Sequence, residues 1–192
     1  KSQSFPIVVK ADGLALGKGV LICNNYEEAK EAVIDIMENK KFGDAGNKVV
    51  IEEFLVGQEV SVLSFCDSDT IVPMVSAQDH KRALDNDQGL NTGGMGTFSP
   101  SRIYTQEIQN YCMEKIFKPT LEAMKKEGRP FTGILFFGLM VTENGVKVLE
   151  YNARFGDPEA QVVLPRLKGD LLEILEACVD KRLHEIKVEW ED

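Results

Sequence analysis

Two apolar runs, residues 134–142 and 146–151, flank the tripeptide Glu143-Asn144-Gly145. Asn-Gly between such runs is a strong hairpin signal, because a tight two-residue turn needs positive φ and these residues tolerate it. The middle of the chain is therefore expected to pair antiparallel. The run from Gly133 to Val141 is far short of the ~18 apolar residues that span a bilayer, so it reads as a buried strand and no membrane partner is expected. A second strand pair is expected over 59–65 and 70–76, around the turn Cys66-Asp67-Ser68-Asp69. A helix is expected from Tyr104 towards Lys126, started by Ser101 or Thr105, kinked or interrupted at Pro119 and ended by Gly128. A last amphipathic helix follows Asp170, with Leu171, Ile174, Leu175 and Cys178 on one face. Strands outnumber helices and hairpins dominate, so the class is α+β with an antiparallel sheet.

The first 56 residues read differently. A strand over 6–12 runs into a loop over 11–19, and 20–23 returns as a second strand. Asn24 or Asn25 can cap a helix that carries Tyr26, Ala29, Val33, Ile36 and Met37 at helical spacing to about Lys40. Gly43 and Gly46 break it, and 49–55 is a third strand. Residues 1–56 thus read as one small unit and 57–192 as another. The long stretch 79–101 is rich in Asp, Asn, Gly and Ser, and such a loop in a compact domain is functional or disordered. The chain carries a net charge of -9 and a pI of about 4.9, so it lacks the field that gathers a polyanion, and nucleic acid is not expected as a partner. Four cysteines without a C-x-x-C pair, and only two histidines, make a zinc site improbable; the thiols read as reduced and cytoplasmic. The chain opens at Lys1 with no signal-peptide pattern, and reads as a fragment whose natural start lies upstream.

Four segments carry chemistry. The first, Lys10-Ala11-Asp12-Gly13-Leu14-Ala15-Leu16-Gly17-Lys18-Gly19, has glycines that let backbone N–H groups approach phosphate, and two lysines. It is neither a Walker A loop nor G-x-G-x-x-G, and a flexible hairpin with exposed lysines is the rival reading. In the second, Glu52-Glu53-Phe54-Leu55 ends a strand and Glu59 follows; it can meet an adenine edge and ribose hydroxyls, or be an edge strand with solvated acids. The third joins Gln78-Asp79-His80-Lys81-Arg82 to Asn91-Thr92-Gly93-Gly94-Met95-Gly96, which together suit a small zwitterion and a phosphate; the rival is a charged loop beside a floppy turn. In the fourth, Glu150 and Asn152 share one face of a strand, two oxygen donors suited to Mg²⁺. Arg154 follows on that face, and Asp157, ahead of Pro158 and Glu159, suits a helix N-cap as well as a substrate contact.

On these motifs, in this order and over nearly the whole chain, the sequence resembles the ATP-grasp superfamily and, within it, the glycinamide ribonucleotide synthetases. The resemblance implies an ATP-grasp fold, with 1–56 as its lid and 57–192 as its antiparallel-sheet part. It implies ATP and Mg²⁺ (or Mn²⁺) as cofactors, and glycine and 5-phosphoribosylamine as small-molecule substrates. Glycine would be activated as glycyl phosphate and then captured by the amine, a step of purine synthesis. Lys10 would hold the α/β-phosphates under the loop with Gly13, Gly17, Lys18 and Gly19. Glu52, Glu53, Phe54 and Leu55 would form the adenine hinge, and Glu59 would bind ribose. Glu150 and Asn152 would hold the metal. Asp79, Lys81, Arg82, Asn91, Thr92, Gly93, Gly94, Met95, Arg154 and Asp157 would line the substrate side, with Lys10, Lys81 and Arg154 catalytic. Another carboxylate–amine ligase of the superfamily, or a nucleotide-binding module without catalysis, are the alternatives. Many ATP-grasp enzymes place a second metal carboxylate on the preceding strand, but Phe136-Phe137-Gly138-Leu139-Met140 holds no acid. The family's N- and C-terminal domains appear absent, so the chain alone is expected to be inactive.

Overall fold

The computed structural model describes residues 4–15, 19–80, 82–85, 88–92 and 94–191. The chain divides into two compact units, Lys1–Val56 and Gly57–Asp192. In the first, β1 (Ile7–Ala11) lies between β2 (Val20–Cys23) and β3 (Val49–Glu53), antiparallel to both. Strand alternation sends Ile7 and Val9 inward, onto Ala29, Ala32 and Ile36, and leaves Lys10 on the other face. The helix α1 (Tyr26–Val33) starts with a reciprocal cap: Glu28 N donates to Asn25 Oδ1 at 2.9 Å, and the Glu28 carboxylate accepts from Asn24 N at 2.8 Å. A wider turn continues it over Ile34–Glu38. Tyr26, expected on the apolar face, is 66% exposed. It is the first helical residue, so its side chain tilts off the N-terminal end, away from the sheet.

The second unit is built on β4 (Gln58–Asp67) and β5 (Ile71–Pro73). The stretch expected as one long loop holds four short strands: β6 (Gln78–Asp79), β7 (Arg82–Leu84), β8 (Gln88–Asn91) and β9 (Thr97–Phe98). β6 pairs with β9, and between them β7 pairs with β8, so the segment is a nested hairpin. Strands of two to four residues are too short for alternation to reveal in sequence.

The helical segment runs without a break from Gln106 to Lys126. α2 (Gln106–Cys112), capped by Thr105, and α3 (Lys118–Lys126) are joined by a wider turn over Met113–Phe117. Pro119 follows directly on this wider turn, which interrupts the α-helical ladder beside it, as the sequence leads one to expect. Then come β10 (Thr132–Thr142) and β11 (Gly145–Asn152); the hairpin expected here forms, with Glu143 and Asn144 at the tip and Gly145, at φ +106°, opening the second strand opposite Thr142. α4 (Ala160–Val163), β12 (Leu167–Lys168), α5 (Leu171–Val179) and β13 (Glu189–Trp190) complete the unit. Asp170 caps α5, its carboxylate accepting from Leu172 N at 2.8 Å.

The main sheet runs β11-β10-β4-β5, antiparallel throughout. Leu135, Phe137 and Leu139 face Phe117 and Leu121, while Ile134 and Phe136 face Ile174, Cys178 and Leu183. β10 is thus covered on both sides, which is why it reads as an unbroken apolar run. Among the described residues no helix is long and apolar enough to cross a membrane.

Candidate functional site

In the first unit, Lys10 Nζ lies 2.6 Å from Glu52 Oε2, both half-buried or nearly so. β1 and β3 pair Val8 with Glu52, which makes Glu52 the same-face diagonal neighbour of Lys10. The root of the adjoining loop is tight. Gly13 N donates to Ala45 O at 3.0 Å, and a Cβ on Gly13 would stand 2.6 Å from Ala45 Cα. Ala11 N donates to the buried Gly19 carbonyl at 2.9 Å. The tip, with Gly17 and Lys18, lies outside the described residues. Glu53 and Phe54 are exposed and Leu55 half-buried, with only Glu53 inside the strand.

In the second unit, Glu150 and Asn152 share a face, and Asn152 Nδ2 donates to Glu150 Oε1 at 3.3 Å. A β-bulge at Leu149 decides which face. Before it Val146 and Val148 pair with Val141 and Leu139, on the side of α2 and α3; after it Glu150 pairs with Gly138, and Asn152 with Phe136, on the opposite side. Uninterrupted alternation would have put the carboxylate into the apolar cluster. Gly138 also explains the absent second acid: a Cβ there would lie 2.9 Å from Glu150 Cγ, so Glu150 occupies the space. Among the described residues no three His, Cys, Asp or Glu side chains gather as a metal cage. One carboxylate and one amide suit Mg²⁺, which keeps waters and takes phosphate oxygens for the rest of its shell. Glu59, half-buried, pairs with Met140 one same-face step from Gly138. On the other face Tyr151 packs against Phe137, ring centroids 5.5 Å apart. It borders a mainly apolar groove of about 700 Å³ with Ile116, Thr120, Met124 and Phe131.

Two expectations change here. β11 stops at Asn152, so Arg154 does not continue its face; exposed, it donates from Nη1 to Phe155 O at 2.8 Å. Asp157 is not a backbone cap. α4 starts three residues later, and the Asp157 carboxylate accepts from Gln161 Nε2 at 2.7 Å.

The nested hairpin brings its own residues together. His80 N donates to Gly96 O at 2.9 Å, and Met95 N to His80 O at 2.7 Å. Gly94 N donates to Thr92 Oγ1 at 3.1 Å. Gly94 has φ +129°, and a Cβ there would lie 2.7 Å from Pro158 Cδ and 3.2 Å from Asp79 Oδ1. Asp79, Gly94 and the residue after Asp157 therefore meet, although 15 and 64 residues separate them in turn. Met95 is exposed. Lys81 and Gly93 lie outside the described residues; Arg82 and Asn91 are register partners at the base of β7 and β8.

Sequence reasoning passed over Ser61 and Glu159. Both are buried, and Ser61 Oγ donates to Glu159 Oε1 at 2.9 Å. The available signal was a serine within the apolar run Val60 to Phe65, and an acid directly after Asp157-Pro158.

The sequence model for phosphoribosylglycinamide synthetase, ATP-grasp (A) domain, matches residues 1–160. A phosphoribosylamine–glycine ligase of Fusobacterium nucleatum is 51% identical over 189 residues, which are 98% of this chain and 44% of that protein. A trifunctional purine biosynthetic protein adenosine-3 of Gallus gallus is 53% identical over 190 residues, 98% of this chain and 19% of that one. The crystal structure of a phosphoribosylamine–glycine ligase from Thermotoga maritima superposes with a TM-score of 0.73 at 36% identity, covering 96% of this chain and 46% of that one. This chain therefore spans less than half the length of the relatives it matches. With the antiparallel α+β fold and the site motifs it carries, the chain belongs to the phosphoribosylglycinamide synthetase family, as that family's ATP-grasp (A) domain.

Proposed function

We propose that the whole protein joins glycine to 5-phosphoribosylamine, converting ATP to ADP and phosphate and forming glycinamide ribonucleotide, and that this chain is its ATP-binding core. The observation that carries the reading is the meeting of Asp79, Gly94 and Pro158 in a chain of this family. It sets a turn of polar backbone and carboxylates in the same unit as the Glu150–Asn152 face. Phosphoryl transfer needs charge neutralisation and in-line positioning more than a nucleophilic side chain. The glycine carboxylate attacks the γ-phosphorus and ADP leaves; the ribosylamine nitrogen then attacks the glycyl carbonyl carbon, phosphate leaves and the nitrogen loses a proton.

Lys10 would neutralise nucleotide phosphate, which has to compete with Glu52 for the ammonium. Residues 1–56 would act as the lid that keeps water from the acyl phosphate, with Gly13, Gly17, Lys18 and Gly19 over the phosphates. Glu53, Phe54 and Leu55 would hold adenine and Glu59 ribose. Glu150 and Asn152 would hold Mg²⁺ or Mn²⁺, which would supply positive charge against the phosphates. Asp79, Lys81, Arg82, the 91–95 turn, Arg154 and Asp157 would receive glycine and the ribosylamine. The setting is the cytoplasm. The test is ADP release by the full-length protein given ATP, Mg²⁺, glycine and freshly made ribosylamine. Release that requires both substrates is expected; release with a different amine, or with neither, overturns the assignment.

A further inference from the structure

Ser61 touches three parts of this site at once. Its backbone exchanges two hydrogen bonds with Ala77, at 2.8 and 2.9 Å, two residues ahead of Asp79. Its neighbour across the sheet is Gly138, the register partner of Glu150. Its hydroxyl donates to Glu159, two residues beyond Asp157. Ser61 is 6% exposed and Glu159 4%. The second Glu159 oxygen lies 2.3 Å from where a Cβ on Gly156 would stand, so the turn from Asn152 to Glu159 closes around a buried carboxylate. Sinking a carboxylate into a protein is costly unless it is hydrogen-bonded, and an apolar side chain would fill the same volume without that cost.

We propose that the Ser61–Glu159 pair is a positioning device that fixes the 153–158 turn, with Arg154 and Asp157, to the strand that also registers Asp79 and Glu150. Neither residue is assigned a substrate contact; they act through the groups they hold. The inference rests on the ligase reading above.

The test uses the full-length protein. Ser61→Ala removes the donor, whereas Glu159→Gln keeps an oxygen for the Ser61 hydroxyl. For Ser61→Ala, kcat/KM for glycine and for the ribosylamine should fall about tenfold, the scale of a hydrogen bond to a charged group, while KM for ATP stays within about twofold. Glu159→Gln should remain within about threefold of the parent on all three substrates, since the bond survives. Equal losses on all substrates, or none on the glycine side, overturn the proposal. Should Ser61→Ala not fold, the near-isosteric Ser61→Cys, a weaker donor, takes its place under the same criteria. Amide exchange separates this inference from the ligase reading. Exchange over 153–158 and 77–80 should rise in the Ser61 variant while β10 stays protected, whatever the reaction. Unchanged exchange refutes the positioning role even if the parent makes glycinamide ribonucleotide, and a parent that makes none refutes the ligase reading alone.

Discussion

Lys10 already has a partner, and this sets the sign of two experiments. Lys10→Ala should weaken ATP binding by about 1.5–3 kcal/mol, the scale of a charge-assisted contact. Glu52→Gln, which removes the competitor 2.6 Å away, should strengthen it. Calorimetry that finds neither change would remove Lys10 from the nucleotide site. Reversing the charge of Lys41, exposed and paired with Asp35 at 3.4 Å, should leave ATP affinity unchanged. In the second unit, Glu150→Gln should raise the Mg²⁺ concentration that ATP binding needs, because a neutral amide is a poorer ligand for a hard cation. Asn152→Ala should do so less, and Gly138→Ala should mimic Glu150→Gln by displacing that carboxylate. A Mg²⁺ dependence that matches the parent's in all three would put the metal elsewhere. The thiols give a separate check. Burial pushes Cys66 up to about 12, helped by Cys178 and Asp67, and raises Cys23, Cys112 and Cys178 as well. Since the thiolate is the nucleophile, the folded chain at pH 8 should resist iodoacetamide until denaturant is added. Prompt labelling without denaturant would contradict the packing.

Asp67, 1% exposed at the end of β4, shows how one side chain can join elements. Its Oδ1 accepts from Asp69 N at 3.0 Å and Thr70 N at 2.6 Å, shaping the turn into β5, and its Oδ2 accepts from Leu183 N at 3.1 Å. Asp67→Ala would strand buried donors and should cost about 2–4 kcal/mol in urea unfolding, taking a few of the penalties for unpaired buried groups together. A loss below about 0.5 kcal/mol, the range of ordinary surface changes, would show that water replaces the carboxylate. The turn was legible in sequence, because Asp-Ser-Asp after an apolar run is a local signal. The bond to Leu183 was not, since its partners lie 116 residues apart. The same division runs through the molecule. The caps Asn25 and Asp170 and the turn at Gly145 depend on a few neighbouring residues and could be read directly. The ladders within 78–98, the bulge at Leu149 and the Ser61–Glu159 bond are each settled by packing between distant segments. Of the two readings of Asp157, the cap fails: the Asp-Pro-Glu pattern fits one, yet the turn that holds Glu159 inward delays the helix to Ala160.

The two units carry separate cores. That of Lys1–Val56 rests on Ile7, Val9, Cys23, Ala29, Ala32 and Ile36, while Gly57–Asp192 has two clusters, one on either side of its sheet. Burial scales with the size of a unit, so the smaller should open at lower free energy. Native-state hydrogen exchange should find β1 and β3 less protected than β4 and β10; equal protection would mean a single cooperative unit. A further consequence follows from the bulge at Leu149, at the level of the gene. The turn at Glu143-Asn144 lies outside the ladder, so codons gained or lost there leave the pairing beyond it intact. Loss of the Leu149 codon would close the bulge with Val148 still opposite Leu139 and Glu150 still opposite Gly138, so neither face of β11 would change. Natural length variation in this hairpin should therefore gather at its tip and at the bulge, the two places where a residue can be lost without turning Glu150 into the core.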